Sequence, residues 1–396
     1  MSDTHIVTAE SIGAGGAAVA RAEGKTLFIH GLMPGETAEV AETGGKKRWA
    51  RASIVNLVDT SPDRVEPPCE FFGFCGGCDW QFAPIANQLD WKHSIVTQQL
   101  QRIGGMEVDV LPPLAPSGPY SYRNRITLRV IEGEAAMYER RSKELTPIDT
   151  CHILEPNLRA LVERLGNLDG VHELTARVGA ATGDRLVVIK GKVPSHADTW
   201  RANVATKKGR HLHSAIGKSH IHEEVALSRL RITGDAFFQN NTAGAGVLVQ
   251  QVTKALDVTN ADHLIDLYAG GGLFSATVGK AAGNITAVEA ANSAADDLMH
   301  NVGRTARIAH LPVEKWKGRG DAVVADPPRA GLQEAGVNVI AATKASRLAY
   351  VSCDPGTFAR DAKLLQEAGY QLEWVQPVDM FPQTAHIELV SRFALR

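Results

Sequence analysis

The sequence predicts a three-part chain whose last part, residues 236–396, is a Rossmann-like α/β domain with a mostly parallel sheet. A small OB-like β-barrel is expected over residues 1–62, and a central β-rich α+β domain carrying a cysteine cluster over 63–235. Three observations predict this. From about Ala261, strand-like runs at His263 to Leu267, Ile285 to Val288, Ala322 to Ala325 and Leu348 to Val351 alternate with Ala-rich helical segments, the pattern of βαβ units. Residues 5 to 59 instead carry short apolar runs broken by glycine and proline, the pattern of a small barrel or sandwich. Four of the five cysteines fall in the first 151 residues, and the fifth, Cys353, stands alone at the end of the last of those strands.

A chain of 396 residues exceeds one ordinary domain, and 44% apolar residues with 22% charged ones describe a globular protein able to bury a core. No apolar run approaches the roughly 18 residues of a membrane span. Met1 to His5 shows no basic segment followed by an apolar one, so a cytoplasmic protein is expected, with no obligate protein partner. A net charge of −2 excludes a globally basic nucleic-acid binder and leaves only a local footprint. One candidate runs from Arg201 to His222, where Lys207, Lys208, Arg210 and Lys218 are interleaved with four histidines and no acid; a solvated face explains it equally well.

In the first part, Thr26 to Ile29 and Ala50 to Val58 read as strands and Pro34-Gly35 as a turn. Pro67-Pro68 then lead into Cys69, Cys75 and Cys78, spaced Cx5Cx2C on a glycine-rich loop, with Cys151 far downstream. In a reducing compartment these are expected to be metal ligands, catalytic or buried rather than in disulfides, and their clustering favours a metal. Four thiolates suit tetrahedral zinc or an iron–sulfur cluster. The single short pair, with Phe71, Phe72, Phe74 and Trp80 expected to shield the centre, fits a cluster better. Next, Leu89, Val96, Leu100 and Ile103 fall on one helical face ended by Gly104-Gly105. The central stretch includes strands at Arg125 to Ile131 and Arg185 to Lys190.

In the last part, four segments carry chemistry. Leu264 to Leu267 runs into Tyr268-Ala269-Gly270-Gly271-Gly272 and a predicted helix, and Glu289 ends the next strand. A strand, a glycine turn and a following acid suit an adenosine-bearing cofactor, with NAD and S-adenosylmethionine both open. Asp326 ends a strand before the stiff Pro327-Pro328 pair. Cys353 precedes Asp354-Pro355-Gly356, so it should sit at a strand's carboxyl end, where open α/β sheets bind ligands; its alternative is a buried structural cysteine. His386, Glu388 and Val390 are expected to alternate on one face of a strand, which makes Glu388 a candidate general base, or else an edge-strand acid facing water.

Together, the Cx5Cx2C loop with Cys151, Phe237-Phe238-Gln239-Asn240, Asp266-Leu267-Tyr268, Asp326-Pro327-Pro328-Arg329, Ser352-Cys353-Asp354-Pro355 and Pro382-Gln383-Thr384-Ala385-His386-Ile387-Glu388 resemble the RNA 5-methyluridine methyltransferase family. More narrowly, the chain resembles the iron–sulfur branch acting on bacterial 23S rRNA. Gly13 to Ala20, Phe28 and Pro34-Gly35-Glu36 resemble its TRAM domain, an OB-like RNA-binding module. The resemblance covers essentially the whole chain. It implies Cys353 as nucleophile and Glu388 as general base. It implies Gln239, Tyr268, Glu289 and Asp326 as S-adenosylmethionine contacts, and Cys69, Cys75, Cys78 and Cys151 as ligands of a [4Fe–4S] cluster. The chain departs from the pattern at Ala269, where many members have cysteine, at Leu273, where some have asparagine, and at Gln383, where histidine is common. Leu273 removes one cofactor hydrogen bond. RNA is the implied partner, 23S rRNA before tRNA. An NAD-dependent iron–sulfur oxidoreductase and a non-catalytic ribosome-assembly protein remain as alternatives. The second would be expected to have lost Cys353 or Glu388, and both are present.

Overall fold

Seven strands of the last part form one sheet in the order Arg307–His310, Asn284–Glu289, His263–Leu267, Ala322–Ala325, Arg347–Ser352, Glu388–Leu395, Tyr370–Val378. This is a computed structural model, and it describes residues 4–209 and 211–396. Arg210, one of the expected basic residues, and Met1 to Asp3 of the leader reading lie outside the described residues. The first five strands pair in parallel; the inner ones are largely apolar because they are buried on both faces, whereas the edge strand Arg307–His310 is not buried. Glu388–Leu395 alone runs against both its neighbours. The strand order reverses direction between His263–Leu267 and Ala322–Ala325, which opens a crevice at the carboxyl ends.

The glycine turn leads into a helix of one turn only, Leu273–Ala276, then a 3-10 turn, Val278–Ala281. Thr277, with φ −116° and ψ −77°, joins the two. Gly279 then packs so closely on Ile285 that a Cβ would lie 2.8 Å from its Cδ1.

Upstream, Thr4–Thr8, Thr37–Lys46, Trp49–Asp59, Lys25–Ile29, Ala18–Ala22 and Ser11–Ile12 make a six-stranded sheet, bent by register shifts between Thr37–Lys46 and Trp49–Asp59. A second seven-stranded sheet follows, with Arg125–Ile131 and Arg185–Gly191 flanking Val171–Val178. The expected basic stretch lies partly in its edge hairpin, Asn203–Lys208 with His211–Ile216, where Lys207 Nζ donates to Asp235 Oδ2 at 3.0 Å.

The helix Ile85–Gln99 corrects one expectation. It buries Gln88, Lys92, Ile95 and Val96, while Ile103, expected on its apolar face, is 46% exposed. The reason is the neighbour: this face packs on a polar turn of the last domain. Lys92 Nζ donates to Asp379 Oδ1 at 2.6 Å and to the Phe381 carbonyl at 3.2 Å, with both ion-pair partners buried. Burial pulls the Lys92 pKa down, and Asp379 pushes it back up. Replacing Lys92 by methionine leaves the Asp379 carboxylate buried and unpaired, so a loss of about 3–5 kcal/mol is expected in denaturant unfolding. A loss under about 1 kcal/mol would mean that the pair behaves like a solvated one.

Candidate active site

Strand direction alone brings two reactive groups together. Because Glu388–Leu395 runs antiparallel to Arg347–Ser352, its first residue lies at the edge where the parallel strands end. Ser352 pairs with Leu389, and one step further the register carries Cys353 opposite Glu388. Asp326, one residue past Ala322–Ala325, reaches the same edge. The carboxylate is therefore not on an edge strand facing water: Glu388 is buried in an interior strand. His386, expected to share its strand, lies before the strand and is exposed.

These groups raise one another's proton affinity. Burial, then Glu388 and Asp326, push the Cys353 thiol up to about 12, with Arg329 pulling the other way. Burial and then Asp326 push Glu388 well above the usual carboxylate range, again opposed by Arg329. Asp326 is pushed up to about 7 by burial and then by Asp266. Cys353 also precedes the helix Pro355–Glu367, capped by Asp354 accepting from the Thr357 N–H at 2.8 Å. A helix N-terminus favours a thiolate, but only by about 1 kcal/mol, so burial and the two carboxylates outweigh it.

The crevice beside this edge is shaped for a close-lying ligand. Tyr268 has a left-handed φ of +61°, an uncommon conformation for an aromatic residue. Glu289 accepts from the Gly270 N–H at 2.8 Å and the Ala291 N–H at 2.6 Å, tying the glycine turn to the next strand. Gln239 is buried, its Nε2 3.5 Å from Asp326 Oδ2, and its carbonyl accepts from Asn124 of the central sheet at 3.1 Å. Asp266 accepts from the Ser275 N–H and hydroxyl at 2.9 and 2.6 Å through Oδ2, while its buried Oδ1 has no partner. Burial pushes Asp266 up to about 7.

The four remaining cysteines lie elsewhere but together. Cys69, Cys75, Cys78 and Cys151 line one apolar cavity with Phe71 and Phe72, and none is in a disulfide. Burial pushes the Cys78 thiol up to about 12 and raises Cys75 and Cys151, and neighbouring sulfurs add to each. Two of the expected shielding rings are not there. Phe74 is 62% exposed, and Trp80 is buried with its indole N–H on the Gly16 carbonyl at 2.9 Å. Among the described residues, no three His, Cys, Asp or Glu side chains converge closely enough to hold a single metal ion.

Sequence reasoning missed residues that brace this edge. Asp361, fully buried, accepts from the Tyr350 hydroxyl at 2.8 Å and the Leu332 N–H at 2.7 Å, locking the helix after Cys353 to the loop after Asp326. A buried-face position about two helical turns after Cys353 carries no local signal. Gln88 and Lys92, one helical turn apart on the buried face of Ile85–Gln99, were legible only as polar breaks in an apolar pattern.

A parallel sheet with one reversed strand, a glycine turn and acids lining the crevice defines an S-adenosylmethionine-dependent methyltransferase. The chain belongs to the RNA uracil-5-methyltransferase family. The sequence model described as tRNA (Uracil-5-)-methyltransferase matches residues 299–392. An uncharacterized RNA methyltransferase of Halalkalibacterium halodurans is 31% identical over 448 aligned residues, covering 100% of this chain and 98% of the relative. One of Streptomyces coelicolor is 32% identical, covering 95% and 90%. Among solved structures, the Pyrococcus abyssi tRNA (uracil-54, C5)-methyltransferase in complex with S-adenosyl-L-homocysteine superposes with a TM-score of 0.78 at 25% identity, covering 98% of this chain and 99% of that one.

Proposed function

We propose that this protein methylates C5 of one uridine in 23S rRNA, with Cys353 as nucleophile and Glu388 as general base. The observation that carries this reading is that Cys353, the buried Glu388 and Asp326 meet at one sheet edge, close enough for both acids to raise the thiol. Uracil C5 is a poor nucleophile. Addition of the Cys353 thiolate to C6 makes an enolate whose C5 takes the methyl group that bound S-adenosylmethionine supplies. Glu388 then removes the C5 proton, the electron pair re-forms C5=C6, and the C6–S bond breaks to release the thiolate.

Gln239, Tyr268, Glu289 and Asp326 are read as the S-adenosylmethionine contacts. The unpartnered buried Asp266 oxygen and the glycine turn support a bound ligand in that crevice. Leu273, where some members of the family have asparagine, is buried and its side chain supplies no hydrogen bond. The four cysteines are read as ligands of a [4Fe–4S] cluster. The support for this is that the four cysteines line one apolar cavity, where four thiolates could share a cationic centre. The chain is read as three domains, 1–62, 63–235 and 236–396, the first a TRAM-like OB barrel that binds RNA.

An open cavity of about 500 Å³ between the first two sheets is lined by Arg129, Arg140, Arg141, Tyr138 and His30, together with Glu139, with Glu173 paired to Arg129 and with Asp79 paired to Arg140, and reaches Ala385 and His386. Guanidinium groups for phosphates and a ring for stacking suit a single RNA strand delivering an unpaired base, since C5 and C6 are inaccessible inside a helix. The solved relative is a tRNA enzyme by its name, which keeps tRNA as the second reading. Deleting the gene and mapping 5-methyluridine by mass spectrometry of nuclease fragments tests this. Loss of one residue from 23S rRNA is expected. Loss from tRNA would overturn the choice of substrate, and an unchanged map would favour an assembly role.

A further inference from the structure

The turn that leads to Glu388 is held almost entirely by residues outside the catalytic sheet. Gln383, five residues before Glu388, has a left-handed φ of +69° and is buried. A residue with a side chain keeps that conformation only where its surroundings enforce it. Here the Gln383 carbonyl accepts from the Asp79 N–H at 2.7 Å and the Trp80 N–H at 3.0 Å. Its own N–H donates to Gln88 Oε1 at 2.9 Å, and Gln88 Nε2 donates back to Gln383 Oε1 at 3.0 Å. Asp79 Oδ2 accepts from the Ala385 N–H at 2.9 Å, and the Tyr122 hydroxyl donates to the Pro382 carbonyl at 2.9 Å. Asp79 and Trp80 directly follow Cys78.

We infer that Asp79, Gln88 and Gln383 are positioning residues that set the turn 381–385 so that Glu388 faces Cys353. The cysteine loop serves the reaction by presenting Asp79 and Trp80 to that turn. This rests on the reading of Glu388 as the base. On this reading the loop's task is mechanical. A simple tie between domains would affect every step alike. A positioning role affects the last step: the thiolate still adds to C6, but removal of the C5 proton slows and the covalent intermediate persists.

The test uses full-length protein with S-adenosylmethionine and total RNA from the gene-deleted host, measuring denaturation-resistant protein–RNA adduct and released 5-methyluridine. With Asp79→Ala and Gln88→Ala, turnover should fall about a hundredfold, the scale set by small misplacements of a reacting group, while adduct accumulates. Asp79→Asn retains an oxygen to accept from the Ala385 N–H but loses the ion pair between the other Asp79 oxygen and Arg140, so it should restore turnover only in part. Adduct and turnover falling together in both alanine variants, or neither changing, would overturn the inference. Glu388→Gln is run alongside. Adduct with it but not with the alanine variants overturns this inference alone, whereas adduct with none of them overturns the assignment of Glu388.

Discussion

Replacing Cys353 by alanine is expected to lower turnover by at least about 10⁴-fold, because every later step needs the bond between its sulfur and C6. Thermal unfolding should change little, since the side chain is only half-buried and bridges no other groups. Serine should not rescue, because its hydroxyl is far harder to ionise than a thiol. The thiol's environment adds a pH dependence. Burial, Glu388 and Asp326 push it up to about 12, so at neutral pH it is protonated in the free protein. Below that pKa the thiolate fraction grows about tenfold per pH unit. Adduct formation should therefore rise steadily from pH 7 to 9, and Arg329→Ala, which removes a positive charge that opposes these effects, should slow it at each pH. A rate independent of pH across that range would mean that ionisation of Cys353 does not limit attack.

Glu388→Gln is expected to stop turnover while leaving adduct formation intact. Glutamine keeps the shape of the buried side chain but cannot accept the C5 proton, so the methylated ring stays joined to Cys353. The substitution adds no charge beside the thiol, so attack should be at least as fast as in the unmodified protein. Denaturing gels of protein mixed with RNA and S-adenosylmethionine would show a shifted band that persists. A variant with neither adduct nor product would point to a folding defect or a different base.

Much of this site was legible because strand ends announce themselves. Apolar runs ending in Asp326-Pro327-Pro328 and in Cys353-Asp354-Pro355 place a polar side chain at the edge of a sheet before any pairing is known. Glu388 was legible as a carboxylate in an apolar strand. That the strand is interior and reversed was not, because pairing depends on partners far along the chain. The same limit hid the clamp: Gln88 meets Gln383 across 295 positions and Lys92 meets Asp379 across 287, and neither local pattern carries a trace of the other. The cysteine spacing indicated a shared site. Which rings would surround it was not readable, since Trp80 is drawn to the N-terminal sheet by its bond to Gly16 and Phe74 turns to solvent.

The most direct test of the central claim is to incubate the purified protein with host RNA lacking its modification and methyl-labelled S-adenosylmethionine, then digest the RNA to nucleosides and locate the label. The account predicts label in 5-methyluridine alone, absent with Cys353→Ala. Label in any other nucleoside, or label in 5-methyluridine that survives the loss of Cys353, would contradict it.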